Sequence, residues 1–148
     1  MLGDYPEFKY ILTLQESVAV GMGESYARAT GRASFVSLHV DSGLANGIAL
    51  MLDAYNTGTP MVVTSANYDA RKVAEGKTDL AELVRPVTKW AVELTLPDQI
   101  PGAIRRAFNE ANSHPKGPVY VGFSSNCLEG SAERSEEHTS ELQSHLNL

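Results

Sequence analysis

The chain has 148 residues, with 12 Lys and Arg against 18 Asp and Glu, so its formal net charge is −6. This length predicts one globular domain, and the hydrophobic fraction of 43% is too high for a disordered chain. The acidic balance argues against nucleic-acid binding, and the uncharged stretch Ser42–Leu52 is too short to span a bilayer. The single Cys127 excludes an internal disulfide, and Asp4 and Glu7 stand where a signal peptide would be basic, so we expect a reducing, cytoplasmic setting.

The sequence pattern predicts strands that alternate with helices. Tyr10–Leu14 is a β-prone run, and Gln15–Thr30 is predicted to be a helix that ends at Gly31. The later elements predicted in chain order are a strand at Ala33–His39, a helix at Ser42–Tyr55 capped by Asp41 or Ser42, a strand at Pro60–Ser65, a polar loop at Asn67–Thr78, a helical turn within Lys77–Val84, a strand at Val87–Leu94, a helix at Asp98–Ala111 and a strand at Pro118–Phe123. Strands that are apolar on both faces and alternate with helices are typical of an α/β fold, in which helices cover both faces of a mostly parallel sheet.

Small residues lie along one side of the first predicted helix. Ala19, Gly23 and Ala27 recur every four residues and form a ridge on one face. Gly21 and Gly23 each lower helix stability by about 1 kcal/mol relative to Ala. Their presence indicates a backbone that another part of the structure approaches closely. The residues expected to be passive core or small side chains are Met22, Met51, Met61 and Cys127.

Three polar features follow predicted strands, at the edge of a parallel sheet where ligands collect. Glu16 follows the first strand, His39 ends the second and precedes the loop Asp41–Asn46, and Thr64–Asn67 follow the third. Glu16 is either a charge that complements a helix N-terminus or a functional carboxyl. His39 is either a core histidine or a functional side chain at the end of the strand. The loop around Gly43 is either a simple turn or a phosphate cradle, although it lacks the glycine spacing of the known phosphate-binding motifs.

The final residues differ in composition from the rest of the chain. Residues 134–148 are polar, with no apolar period and no turn chemistry. Codons for this stretch can be written that match a common sequencing-library adapter read in frame, so we predict an assembly artefact. The alternative is a charged, disordered tail. If these residues are an artefact, His138 and His145 are not candidate ligands, and the remaining candidate histidines are His39 and His114.

Several motifs occur in an order that is typical of one enzyme family. YILTLQE at residues 10–16 and GMGESYARATG at residues 21–31 come first, followed by LHVDSGLAN at residues 38–46 and DAYNTGTPMVVT at residues 53–64. RPVTKW at residues 85–90 and PKGPVYV at residues 115–121 fit the same frame. Together these motifs resemble the N-terminal, pyrimidine-binding domain of thiamine-diphosphate-dependent enzymes, from Asp4 to Ser124. The lone His39 resembles the benzoylformate decarboxylase branch more than the acetolactate synthases.

The resemblance implies roles for four residues. Glu16 matches the glutamate that hydrogen-bonds N1′ of the aminopyrimidine ring, and a carboxyl buried in an apolar pocket can hold and share a proton near neutral pH. His39 matches a histidine that handles protons on the substrate side, and Gly43 and Asn46 match loop residues that lie against the pyrimidine. The cofactor, thiamine diphosphate, would act as the electron sink for a small 2-keto acid substrate. The resemblance assigns the diphosphate and its Mg2+ to a different domain.

Two departures from the family pattern affect this interpretation. Ala45 stands where the family usually has a second glycine. The sequence also starts after the strand, turn and helix with which the family domain begins, so we expect this first unit to be missing and apolar strand edges to be exposed. Residues 1–124 are therefore predicted to form an incomplete pyrimidine-binding domain, with the start of a linker at residues 125–133.

The sequence thus predicts a fragment of a thiamine-diphosphate-dependent 2-keto acid decarboxylase or carboligase. The complete enzyme is expected to be a homodimer or homotetramer, and the fragment alone is expected to be inactive. Neither a nucleic acid nor a membrane is expected as a partner. Two alternatives stay open: a non-catalytic domain that binds or regulates a partner, and an unrelated α/β domain that binds a nucleotide at the helix after Ser42.

Overall fold

The computed structural model describes residues 5–132, except for the side chains of residues 73 and 74, as strands that alternate with helices. The helices are α1 Glu16–Thr30, α2 Asp41–Thr57, α3 Ala70–Ala74, α4 Leu80–Val84, α5 Ile100–Asn112 and α6 Ser125–Glu129. The strands are β1 Ser34–Leu38, β2 Met61–Asn67, β3 Trp90–Leu94 and β4 Pro118–Ser124. The interpretation of residues 134–148 lies outside the described residues.

The strands form one sheet in the order β1-β2-β4-β3, and every neighbouring pair is parallel. In the register of this sheet, Val36 is opposite Val63, which is opposite Tyr120. Since the strands are parallel, their carboxyl ends lie at the same edge, which we call the carboxyl edge. The sheet confirms the predicted α/β class.

Helices cover both faces of the sheet. On one face, α1, α2 and α4 enclose a core that includes Val20, Leu44, Met51, Leu80, Val84 and Tyr120. On the other face, α5 packs on a core that includes Val62, Ala107, Ala111, Val119 and Val121. Successive residues of β2 enter different cores, so this strand is buried on both faces, as predicted.

A glycine lets α1 pack directly on the sheet. A Cβ atom added at Gly23 would lie 2.5 Å from Cγ2 of Val36 and 3.2 Å from Cε of Met61. A side chain at position 23 would therefore overlap two core residues. The contact confirms the close approach that the ridge of small residues predicted.

The predicted first helix is almost the observed one. α1 begins at Glu16 rather than Gln15, because Gln15 is its N-cap and accepts a hydrogen bond from the N–H of Val18 at 3.2 Å. Gly31 ends the helix in the left-handed conformation, at φ 71°, as predicted.

The predicted cap of the second helix is wrong. α2 begins at Asp41, so Asp41 and Ser42 lie inside its first turn, and its N-cap, Val40, makes no side-chain hydrogen bond to the helix. The Asp41 carboxylate instead accepts a hydrogen bond from the N–H of Ser42 at 2.7 Å. At the other end, Gly58 closes α2 in the left-handed conformation, at φ 67°.

The segments between the later strands are more regular than predicted. β2 continues to Asn67, and the polar segment after it contains α3, which the sequence pattern did not indicate. The helical turn predicted within Lys77–Val84 is α4. Residues 125–133, predicted to begin a linker, start with the short helix α6, whose N-cap Ser124 accepts a hydrogen bond from the N–H of Cys127.

The predicted strand at Tyr10–Leu14 is wrong. This run has no regular structure, and the Leu14 side chain is fully exposed. A β-prone sequence becomes a strand only beside a partner, and within residues 5–132 this run pairs with none. β1 lies at the end of the described sheet with Phe35 exposed, so its apolar character on both faces does not give burial on both.

Three of the four residues predicted to be passive core are buried. Met51 and Met61 are fully buried and Cys127 is nearly so, whereas Met22 is 44% exposed. On α1 the buried positions include Val20 and Ala27, and the helical period turns Met22 away from them toward solvent. Within residues 5–132, no helix is both long and apolar enough to cross a membrane.

We expect Gly23→Ala to lower the free energy of unfolding by about 1 kcal/mol or more, because overlap with Val36 and Met61 outweighs the better helix propensity of alanine. Gly102→Ala is the matched control, because Gly102 also lies in a helix but a Cβ there meets nothing within 4 Å. That variant should gain a few tenths to about 1 kcal/mol. Urea denaturation followed by circular dichroism measures both changes, and equal stabilities of the two variants would contradict the packing argument.

Candidate functional site

Four predicted site residues meet at the carboxyl edge: Glu16, His39, Gly43 and Asn46, which we call the Glu16 site. α1 runs back to the start of β1, so its N-terminal residue Glu16 lies near the carboxyl end of that strand, where His39 follows. α2 starts from the same edge and carries Gly43 in its first turn and Asn46 one turn later. The parallel topology therefore brings the predicted residues together.

Both oxygens of the Glu16 carboxylate face α2. Oε2 accepts a hydrogen bond from Nδ2 of Asn46 at 3.4 Å. A Cβ atom added at Gly43 would lie 2.8 Å from Oε1, so this oxygen lies directly against the Gly43 backbone. Glu16 is half-buried rather than enclosed in the apolar pocket that the sequence analysis expected. The carboxylate is thus held beside a backbone surface and remains accessible.

The position of Glu16 also agrees with the plainer interpretation of this residue. It is the acidic residue in the first turn of α1, where a negative charge complements the helix dipole by about 0.3–1 kcal/mol. A carboxylate that complements the helix dipole can also have a function, because the interaction with the dipole leaves the exposed part of the carboxylate accessible to a ligand.

A phosphate does not suit the N-terminus of α2. Asp41 lies in the first turn of this helix, and the Glu16 carboxylate lies against Gly43 in the same turn. Two negative charges therefore occupy the region in which a phosphate would need to bind. The electrostatics of this edge thus oppose the nucleotide-binding alternative.

His39 is exposed, so the interpretation as a core histidine is wrong. Side chains alternate along β1, and Leu38 points into the core, so the next residue turns away from it. The Cβ of His39 lies beside Gly43, where an added Cβ would come within 2.8 Å of it. The imidazole is therefore accessible to solvent next to the Glu16 carboxylate.

A second polar group lies at the carboxyl edge and was only partly predicted. The Nδ2 of Asn67, at the end of β2, donates to Oε1 and Oε2 of Glu93 at 2.9 Å and 2.8 Å. Burial raises the pKa of Glu93, the hydrogen bond from Asn67 lowers it, and the nearby Asp79 raises it further, with a net upward shift. Asn67 was predicted at this edge because it follows a strand, whereas Glu93, 26 residues further along the chain, was not predicted.

A buried hydroxyl pair supports the sheet below this edge. The hydroxyls of Ser65 and Tyr120 share a hydrogen bond of 2.7 Å, and both residues are almost fully buried. Burial raises the pKa of Tyr120 well above its ordinary value, although the hydrogen bond with Ser65 lowers it. The phenol therefore stays protonated and acts as part of the core.

No metal centre is formed by the part of the chain that the structure describes: in residues 5–132, no three His, Cys, Asp or Glu side chains converge in a way that could hold a metal ion. At the Glu16 site, the groups placed to meet a ligand are the Glu16 carboxylate, the Asn46 amide, the His39 imidazole and the Gly43 backbone. Such a set can exchange hydrogen bonds and a proton with a planar nitrogen ring.

Comparisons with known proteins agree with this arrangement. Residues 1–86 match the family model for the thiamine pyrophosphate enzyme, N-terminal TPP binding domain. The chain is 33% identical over 127 residues to benzoylformate decarboxylase of Pseudomonas aeruginosa, covering 82% of this chain and 24% of that protein. It is 33% identical over 118 residues to the mitochondrial acetolactate synthase catalytic subunit of Saccharomyces cerevisiae, covering 78% of this chain and 17% of that one. The chain thus spans a quarter or less of these relatives.

A solved structure has the same fold. The crystal structure of benzoylformate decarboxylase from Polynucleobacter necessarius superposes with a TM-score of 0.79 and 27% sequence identity, over 91% of this chain and 26% of that one. The parallel sheet, the helices on its two faces and the matched sequence all agree with the N-terminal domain of such enzymes. The chain belongs to the thiamine pyrophosphate enzyme family and corresponds to its N-terminal TPP binding domain.

Proposed function

We propose that the Glu16 site binds the pyrimidine end of thiamine diphosphate and that the chain is part of a 2-keto acid decarboxylase or carboligase. The observation that carries this proposal is the half-buried Glu16 carboxylate, which lies against Gly43 and accepts a hydrogen bond from Asn46 at the carboxyl edge of the sheet. A ring can approach such a carboxylate, because Glu16 is only half-buried. The relatives named benzoylformate decarboxylase and acetolactate synthase support the reaction class.

The residues present fit one end of this cofactor. A carboxyl oxygen can share a proton with a ring nitrogen, and the absence of a side chain at Gly43 lets the Glu16 carboxylate lie against α2, where a Cβ would displace it. When bound, thiamine diphosphate supplies the electron sink for cleavage next to a carbonyl group. We propose that Mg2+ and the diphosphate are held by another domain, since residues 5–132 offer no acidic cluster for a metal ion.

Within this proposal, Glu16 and His39 have different roles. Glu16 holds and shares the proton of the pyrimidine nitrogen, and the N-terminus of α1 keeps its carboxylate oriented. The exposed imidazole of His39 handles protons on the side of a small 2-keto acid substrate, because it is accessible at this edge and its two ring nitrogens can donate and accept hydrogen bonds. Asn46 and Gly43 contact the pyrimidine side.

The proposal also includes the organisation of the protein. Residues 1–124 would form the pyrimidine-binding domain, with a linker that begins at residues 125–133, and a homodimer or homotetramer would complete the enzyme. β4, the last described strand, ends at Ser124, and α6 directly after it packs on the core through the buried Cys127. The lone, buried Cys127 is compatible with the cytoplasmic setting that we propose.

We expect the 148-residue chain on its own, supplied with thiamine diphosphate and Mg2+, to release no CO2 from benzoylformate. The chain covers 24% of the benzoylformate decarboxylase that it resembles, so most groups of that enzyme have no counterpart here. A coupled CO2 assay with intact benzoylformate decarboxylase as the positive control makes the measurement. Release above the blank would contradict the division of the active site between domains.

In a chimera that carries residues 5–124 in place of the aligned segment of the Pseudomonas aeruginosa benzoylformate decarboxylase, Glu16→Gln should lower kcat by about 100-fold or more. The amide cannot share a proton with the ring as the carboxyl does. Glu82→Gln is the matched control, because Glu82 is exposed and pairs with Arg85 on the surface, so turnover should not change. Equal turnover of the Glu16→Gln and unsubstituted chimeras would refute the role of Glu16.

A further inference from the structure

We propose that Gly43 and Asn46 are positioning residues for Glu16 before any ligand binds: Gly43 leaves the space that one carboxylate oxygen occupies, and Asn46 donates a hydrogen bond to the other. The inference rests on the proposed function, in which this carboxylate meets a pyrimidine ring. It adds to the proposed contact with the pyrimidine side, because both residues would also act through Glu16 and would do so in the free protein.

Gly43 limits where the Glu16 carboxylate can lie. An added Cβ would come within 2.8 Å of Oε1 of Glu16, and also within 2.8 Å of the Cβ of His39. Real Cβ atoms essentially never approach other atoms below 3.0 Å, so a side chain here must displace both the carboxylate and the backbone at His39. The Glu16 side chain can rotate, whereas the Cβ of His39 moves only with the backbone of the chain. A side chain at position 43 would therefore move the carboxylate and also strain the end of β1.

Asn46 holds the other oxygen. Its Nδ2 donates to Oε2 of Glu16 at 3.4 Å, and this is the side-chain hydrogen bond that Glu16 makes within residues 5–132. Asn46 lies one turn after Gly43 on the same helix face, so the two contacts come from a single rigid element. A carboxylate that is bonded at one oxygen and lies against backbone at the other loses less freedom when it later binds a ring nitrogen.

Gly47 offers a matched control for Gly43. It lies one turn further along α2 at the same contact with α1, and an added Cβ would come within 2.9 Å of Cδ1 of Leu38 and 3.0 Å of Cγ2 of Val20. Its neighbours are therefore apolar core atoms. A methyl group at position 47 strains the packing of the helices without touching the carboxylate.

The first experiment tests the contact without cofactor, by NMR on the isotope-labelled 148-residue chain. The side-chain amide signals of Asn46 are followed through the pH range in which carboxyl groups ionise. A hydrogen bond to Glu16 predicts a pH-dependent shift that is lost in Glu16→Gln and kept in Asp41→Asn, which removes the nearby acidic residue of α2. Persistence of the shift in Glu16→Gln would overturn the inference.

The second experiment uses thiamine as the probe and measures the shifts of the Glu16 signals during titration. Asn46→Ala should weaken thiamine binding about fivefold, which corresponds to about 1 kcal/mol for the lost charged hydrogen bond. Gly43→Ala should weaken it at least as much, and Gly47→Ala should leave it within about twofold. Asn46 is exposed, so its variant can be expected to fold even where Gly43→Ala does not.

The outcomes separate the inference from the proposed function. Equal thiamine affinities of the Asn46→Ala and unsubstituted chains would overturn the inference while leaving the Glu16 site a pyrimidine site. Absence of thiamine binding by the unsubstituted chain would contradict the proposed function, and the amide titration would still decide whether Asn46 holds Glu16. Asn46→Gln, which keeps an amide donor, should restore part of the affinity that Asn46→Ala loses.

Discussion

The close approach of α2 to α1 is the constraint on which the rest of this structure depends. Gly43 and Gly47, one turn apart, leave no side chain between the two helices, so the α2 backbone reaches both the apolar core and the Glu16 carboxylate. Gly23 likewise leaves no side chain between α1 and β1. Glycine lowers helix propensity at each of these positions, and the packing that it permits compensates for this loss. The site is thus a direct product of how tightly the layers pack.

Much of the fold follows from local patterns. The alternation of apolar strands and helices is sufficient for the α/β class, and Gly31 marks the end of α1 because its left-handed conformation strongly favours glycine. Tyr10–Leu14 shows where local reasoning ends: its composition favours a strand, but strands need neighbours, and pairing is a property of distant residues. The same limit explains Met22, whose exposure depends on which side of α1 faces the core.

The site was predictable only in part, for the same reason. Glu16, His39 and the loop Asp41–Asn46 were singled out by their positions after predicted strands, and the resemblance to a family supplied the roles of Glu16, His39, Gly43 and Asn46. The parallel connection of strands brings these residues to one edge. That the Asn46 amide reaches Glu16 could not be read from the sequence, because the contact depends on the distance between two helices. The exposure of His39 follows from the pleat of β1, but only once the core face of that strand is known.

The pair formed by Asn67 and Glu93 links this edge of the protein to proton uptake. Burial favours the neutral form of the Glu93 carboxyl, so its pKa is higher in the folded chain than in the unfolded one. The raised pKa of Glu93 stabilises the folded chain. This contribution to the free energy of unfolding is complete below the ordinary pKa of glutamate, and it is lost as the pH rises through the raised pKa. In the folded chain the Glu93 carboxyl is half-buried, and the hydrogen bonds that Nδ2 of Asn67 donates to its two oxygens, at 2.9 Å and 2.8 Å, offset this burial only in part. Protonation of Glu93 therefore stabilises the end of the sheet where β2 and β3 finish.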